Sequence, residues 1–266
     1  MVLIKKLQGT SAVRNIKLVL AYDGTDYAGW QRQLGQPSIQ QIVEEALARL
    51  TQVPVTLRGA GRTDAGVHAE GMAANFHTDS AIPLLGLVKG LNSMLPEAIR
   101  VLAAEKVAND FHARYNATGK VYVYTFMTTE IMPPCSRLYA VQVHGAFDCP
   151  AVRLCLPMLV GTHDFSSFEA IGSRDLSISG GRGAVRTIFA ADFAAAEGKD
   201  SAIYRLTIAG DGFLRHMVRN IVGTLFAVGR GRLTPLDFQG ILAARDRSLA
   251  GATAPAKGLT LKTVLY

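Results

Sequence analysis

Gly61-Arg62-Thr63-Asp64-Ala65-Gly66-Val67-His68-Ala69 lies between two runs of strand character, residues 55–60 and 69–77, and reading it as the loop that joins two sheet strands decides the fold. Its two glycines describe backbone that bends sharply and comes close to something a side chain would obstruct. The only carboxylate in the stretch is Asp64. The Arg62 guanidinium, two residues earlier, can keep that carboxylate ionised if the loop closes over a ligand. An aspartate held in this way is a nucleophile or base candidate. The same residues also suit an ordinary Asx turn, because Asp and Gly are the usual turn formers.

Upstream, residues 15–22 alternate Ile16, Leu18, Leu20 and Tyr22 against Lys17, Val19 and Ala21, the period of a strand with one buried face. A loop of turn formers and amides follows, carrying Tyr27, the single Trp30 and Gln31. Rings beside amides suit contact with nucleotides, and rings alone suit plugging a loop. Ser38, with Gln41 three residues on, has the form of a capping box and opens a helix over 38–51 striped by Ile39, Ile42, Val43, Ala46, Leu47 and Leu50. After the strand–loop–strand unit come a helix over 84–94 and a strand over 99–107. The order β-α-β-β-α-β is that of a ferredoxin-like unit, an antiparallel sheet covered by helices.

From Phe111 a pattern of the same kind begins again. A strand over 118–129 sets Lys120, Tyr122, Tyr124 and Phe126 on one face. A helix over 151–160, strands over 185–193 and 203–208, helices over 213–228 and 235–245 and a strand over 259–265 complete it, with a mobile basic run at 179–186. Arg215 and Arg219, four apart within 213–228, would project from one side of that helix, so that one of them could reach Asp64. Two solvated arginines on a polar face fit the spacing equally well.

The chain has 266 residues and 49% hydrophobic content, enough for one large domain or two ordinary ones. Lys and Arg outnumber Asp and Glu by 28 to 21, and the net charge of +7 would attract a polyanion, nucleic acid first among them. Three cysteines without a C-x-x-C pair read as reduced thiols, and no stretch resembles a signal peptide or membrane span, so a cytoplasmic protein is expected. The histidines are scattered without H-E-x-x-H, and neither a P-loop nor a strand-linked G-x-G-x-x-G is present, which argues against a metal or a nucleotide cofactor.

The loop from Gly61 to Ala69, together with Ala21-Tyr22-Asp23-Gly24-Thr25, Phe111-His112-Ala113-Arg114, Lys120-Val121-Tyr122-Val123-Tyr124, Gly161-Thr162-His163-Asp164-Phe165, Met217-Val218-Arg219-Asn220 and Gly258-Leu259-Thr260-Leu261, resembles the TruA-type tRNA pseudouridine synthases over most of the chain. Arg215 departs from that pattern, which more often has an uncharged residue or His there. The resemblance implies isomerisation of uridine to pseudouridine at positions 38 to 40 of the tRNA anticodon stem-loop, by a homodimer that uses no cofactor or metal. It implies an α+β fold of two ferredoxin-like (RRM-like) halves sharing a mostly antiparallel central sheet, with helices on one face and the active-site cleft on the other. Residues 1–14 would be an N-terminal extension, 15–110 the half with the catalytic loop, and 111–266 the second half. Carried over residue by residue, Asp64 is the catalytic aspartate, Arg62 helps displace the target base, Tyr122 lies against the flipped uracil, and Arg219 pairs with the aspartate. Trp30, Tyr27, Gln31, His68, Arg114 and Leu259 are the further substrate-binding candidates. Two other classes remain at this point: an RRM-like RNA-binding protein, which leaves the Asp64 loop unexplained, and a base-excising glycosidase, which would want a second carboxylate to activate water.

Overall fold

Ile16, Leu18 and Leu20 are fully buried while Lys17, Val19 and Ala21 stay partly open, so the first strand, β1 (Arg14–Tyr22), seals one face of a sheet and leaves the other accessible. The computed structural model describes residues 13–173, 182–195 and 203–266. After β1 the chain forms α1 (Ile39–Thr51), β2 (Arg58–Gly59), β3 (His68–Thr78), α2 (Leu84–Met94) and β4 (Ile99–Val107). It continues through β5 (Gly119–Met127), β6 (Val141–Gln142), α3 (Cys149–Leu159), β7 (Gly161–Asp164), β8 (Val185–Ala195), β9 (Ile203–Gly210), α4 (Met217–Gly229), α5 (Pro235–Ala244) and β10 (Leu259–Leu265).

One sheet contains all these strands, in the order β4-β1-β3-β10-β5-β9-β8-β7, with β2 added to β3 and β6 to β5. Two sets repeat within it: β4-β1-β3 with β2, and β10-β5-β9-β8. Each runs fourth, first, third, second in its own chain order, the ferredoxin-like arrangement expected of each half. Pairing is antiparallel except between β5 and β6 and between β3 and β10. At the latter seam His68 and Ala69 pair with Thr260 and Leu261, and the two sets become one sheet.

Several boundaries differ from the sequence expectation for identifiable reasons. The strand over 55–60 shrinks to β2, because the Leu57 N–H donates to Glu44 Oε1 (2.9 Å) and its carbonyl accepts from Gln40 Nε2 (3.0 Å), both on α1. Only half of the Ser38 capping box forms: Ser38 Oγ accepts from the Gln41 N–H at 3.4 Å, but the Gln41 amide turns to Glu45 at 2.8 Å. The helix over 213–228 starts only at Met217, since His216 sits at φ 62°, a left-handed conformation that interrupts it. Arg215 therefore does not share a helical face with Arg219. Residues 161–164, too short for a period to emerge, form β7 at the sheet edge. Of the basic run 179–186, residues 179–181 lie outside the described residues, and Val185 and Arg186 begin β8.

The side of the sheet that carries the cleft also differs. Tyr124 and Phe126 of β5 meet Phe226 of α4 edge-on at 5.9 and 5.0 Å, so alternation sends Tyr122 to the helix-bearing face. The Asp64 loop meets α4 there, through Arg219. The helix-free face is instead a broad cavity of about 980 Å³ lined by residues such as Glu70, Arg100, Thr125, Arg205, Thr207 and Lys262.

What seats α4 is the segment that precedes β10. Arg219 O accepts from the Ala254 N–H at 3.0 Å, and Thr224 Oγ1 accepts from the Gly251 N–H at 2.9 Å. A Cβ on Gly223 would stand 1.7 Å from the Ala252 carbonyl oxygen, so only glycine admits this approach. Gly223→Ala is expected to lower unfolding stability by about 3 kcal/mol in urea titrations, the upper range for forced overpacking.

Candidate active site

The Asp64 loop is held by the loop that precedes α1. Tyr22 Oη and Thr63 Oγ1 lie 2.9 Å apart, and the Trp30 N–H donates to the Thr63 carbonyl at 3.0 Å. Gly29 packs directly on the backbone of Thr63 and Asp64. Within the loop the Val67 N–H donates to the Asp64 carbonyl at 3.1 Å, and Gly66 supplies the positive φ, 75°, that closes the turn. Gly61 does not need such a φ; its missing side chain makes room for the Lys120 stem, 3.2 Å from where a Cβ would stand.

Asp64 Oδ2 accepts from Arg219 Nη1 at 3.0 Å and lies 3.5 Å from His216 Nε2. Oδ1 has no hydrogen-bond donor among the described residues. Arg219 is itself fixed, its Nε donating to the Ala254 carbonyl at 2.8 Å. The Asp64 side chain keeps 29% of its surface open against 15% for Arg219, so the cation is anchored and the carboxylate faces the cleft. Burial lowers the His216 pKa; Asp64 pulls it upward, while Arg219, Arg215 and Arg247 push it down, and the net depression leaves a neutral ring at neutral pH. Tyr122 is buried against Phe213, whose ring meets it edge-on at 5.0 Å. Burial and then the Asp64 charge raise the Tyr122 pKa, which keeps the phenol protonated. The arrangement offers a carboxylate with one oxygen tied and one open, beside a neutral aromatic ring, where the two halves meet.

Arg62 is exposed on the rim of the same loop. Other expected residues are engaged elsewhere. Trp30, 2% exposed, lies on Gly59 and beside Tyr22 with ring centroids 6.2 Å apart, in the core behind the loop. Tyr27 is half-buried against that core, and exposed Gln31 donates to Gln40 Oε1 at 2.9 Å. His68 is a buried staple: its Nδ1 accepts from the Gly24 N–H at 3.1 Å, so Nε2 carries the hydrogen and faces the carbonyls of Leu138 (3.0 Å) and Lys257 (3.2 Å). The Asp23 carboxylate lies 3.2 Å from the same Nδ1. Leu259 is buried at the start of β10 opposite Tyr124. Arg114 is exposed and belongs to the surroundings of Lys120. His216 and Phe213 were not singled out as site residues, because a left-handed turn before a helix leaves no periodic signal. Among the described residues no group of three His, Cys, Asp or Glu side chains converges to hold a metal ion, and no helix is long and apolar enough to cross a membrane.

A family model described as tRNA pseudouridine synthase matches residues 18–116 and 156–266, which include the Asp64 loop and α4. The tRNA pseudouridine synthase A 1 of Desulfotalea psychrophila is 50% identical over 254 residues, 96% of this chain and 100% of the relative. The tRNA pseudouridine synthase A of Geobacter sulfurreducens is 44% identical, again over 96% of this chain and 100% of the relative. That of Clostridium kluyveri is 42% identical over the same shares, 96% and 100%.

Removing one partner of the Asp64–Arg219 pair strands the other in a partly dry place. Arg219→Ala is expected to cost about 1–3 kcal/mol of unfolding stability, between the values for exposed and deeply buried pairs. Exposed Arg215→Ala should stay within about 0.5 kcal/mol of the unaltered protein in the same denaturant titration.

Proposed function

The chain belongs to the tRNA pseudouridine synthase family, and on that premise we propose that it isomerises uridine to pseudouridine at positions 38 to 40 of the tRNA anticodon stem-loop, with Asp64 as the catalytic carboxylate. The observation that carries this reading is the state of Asp64, clamped through Oδ2 by Arg219 and open at Oδ1, beside the protonated phenol of Tyr122. The reaction breaks the bond from N1 to C1′ and joins C1′ to C5; the proton that C5 gives up is matched by the one that N1 gains. Nothing is oxidised or reduced, so the balance calls for no cofactor.

Asp64 Oδ1 is the oxygen available to C1′, to the pyrimidine ring or to a sugar proton, while Arg219 fixes the other. A uridine in a stem must first leave its stack at a cost of a few kcal/mol. Arg62, exposed on the rim, fills the space it leaves, and the Tyr122 ring packs on the flipped uracil. Burial of Tyr122 against Phe213 keeps that pocket poor in water, which protects the intermediate from hydrolysis. The net charge of +7 suits a polyanionic substrate. On this reading the enzyme is a cytoplasmic homodimer, its two functional halves are 15–110 and 111–266, and residues 1–14 are an extension.

Asp64→Asn should keep tRNA affinity, which phosphate contacts dominate, and lose essentially all isomerisation as measured by tritium release from C5-labelled uridine. Turnover near that of the unaltered enzyme would sink the assignment, and free uracil in place of pseudouridine would replace it with base excision. Tyr122→Phe should retain most single-turnover activity, whereas Tyr122→Leu should lose a stacking surface worth about 1–3 kcal/mol. Equal inactivity of the two variants would give the hydroxyl a chemical role.

A further inference from the structure

Lys120 stands two residues before Tyr122 in β5, so its side chain leaves the sheet on the same face, toward the Asp64 loop. Its stem runs along Gly61: a methyl group built on that glycine would lie 3.2 Å from Cε and 3.7 Å from Nζ. The side chain is half-buried, and among the described residues no carboxylate or carbonyl accepts from its ammonium. Among the described residues the charged groups that act on it are Arg114 in the turn before β5, Arg182 just before β8, Arg186 at the start of β8, and Asp211 after β9.

Asp211 is already committed elsewhere. It accepts from Arg182 Nη1 at 2.8 Å, from Arg182 Nη2 at 3.2 Å and from the Thr187 N–H at 3.0 Å. Burial first, and then the three guanidiniums, lower the Lys120 pKa, so its charge is held without a counter-ion of its own. Arg182 and Arg186 also flank Gly212, whose neighbour Phe213 packs on Tyr122. Among the described residues Lys120 thus stands beside the cleft between the Asp64 loop and Tyr122 with exposed Arg114 near it and no acceptor of its own. An RNA phosphodiester supplies what the Lys120 ammonium lacks among the described residues, an acceptor oxygen and a negative charge.

We propose that Lys120 is a positioning residue that receives the backbone phosphate next to the target uridine, with the exposed Arg114 adding positive charge beside it. This rests on the tRNA reading above. A phosphate held at Lys120 fixes the ribose of the displaced nucleotide relative to Asp64, so the lysine acts on both binding and geometry.

The test compares full-length K120M and K120R with the unaltered enzyme in tRNA affinity against salt, KM, single-turnover rate at saturating tRNA and thermal melting. K120M should reduce the slope of log affinity against log salt by about one, the share of one phosphate contact. It should also raise KM about tenfold, as the loss of one charged hydrogen bond would. The saturating rate should fall, the melting temperature should stay or rise, and K120R should recover most of the loss. A second arm uses tRNA with a neutral methylphosphonate on either side of the target uridine. One of the two substitutions should weaken the unaltered enzyme and leave K120M indifferent. An unchanged salt slope and KM in K120M, equal sensitivity of both proteins to the neutral linkages, or a loss that K120R fails to relieve would overturn the proposal. If the unaltered enzyme bound tRNA but formed no pseudouridine, the synthase reading would fail, and the salt slopes and neutral linkages would still judge Lys120 as a phosphate contact.

Discussion

The parallel pairing of His68 and Ala69 with Thr260 and Leu261 turns two four-strand sets into one sheet, and the geometry of the cleft depends on it. Asp64 lies just upstream of His68, and Tyr122 is paired with Leu261 across β5 and β10. The seam therefore sets how far the loop stands from the phenol ring. A slip of one residue would turn Tyr122 to the helix-free face, because side chains alternate along a strand. His68 secures the seam by tying three segments together: it accepts from Gly24 and faces the carbonyls of Leu138 and Lys257. His68 is thus held mainly by the protein's own backbone, with the Asp23 carboxylate and the Tyr139 ring beside it.

Across the seam, Asp64 and Arg219 come from opposite halves and meet at 3.0 Å. Neither half could orient the carboxylate alone. Arg219 is aimed by Ala254, and α4 lies close enough to Ala254 only because Gly223 admits the Ala252 carbonyl. The buried side chain of Asn220 tightens the same region, donating to the Phe168 carbonyl at 2.8 Å and accepting from Thr253 Oγ1 at 2.6 Å. The residues that orient the site are thus mostly backbone groups and small side chains, and the reactive groups are few.

The aromatic residues of the sequence divide by role in a way their composition conceals. Tyr124 and Phe126, in the same row as Tyr122, are consumed by the packing of α4, and Trp30 by the support of the Asp64 loop. Tyr122 instead meets Phe213 edge-on at 5.0 Å, within reach of the Asp64 charge. Lys120, one alternation earlier, extends the same line to the cationic rim. One strand therefore carries, in order, a charge beside the loop, a ring at the cleft, and rings in the core.

The longer strands and helices and the recurrence of one element pattern along the chain were legible in the residues themselves, because buried alternation, helical stripes and turn glycines are local and each leaves a periodic mark. The bounds of α2, β4 and β10 follow from such marks alone. What only the tertiary structure decided depends on contacts between distant segments. Bonds from α1 to Leu57 cut a strand down to β2. The left-handed His216 separated Arg215 from Arg219 and left Arg219 the one that meets Asp64. The burial of Trp30, His68 and Leu259, and the choice of the helix-bearing face for the cleft, were settled by how the two halves pack. Sequence spacing determines which side chains can share a face of their own element; which of them meet across elements is set by register and packing, and those exist only once the chain has folded.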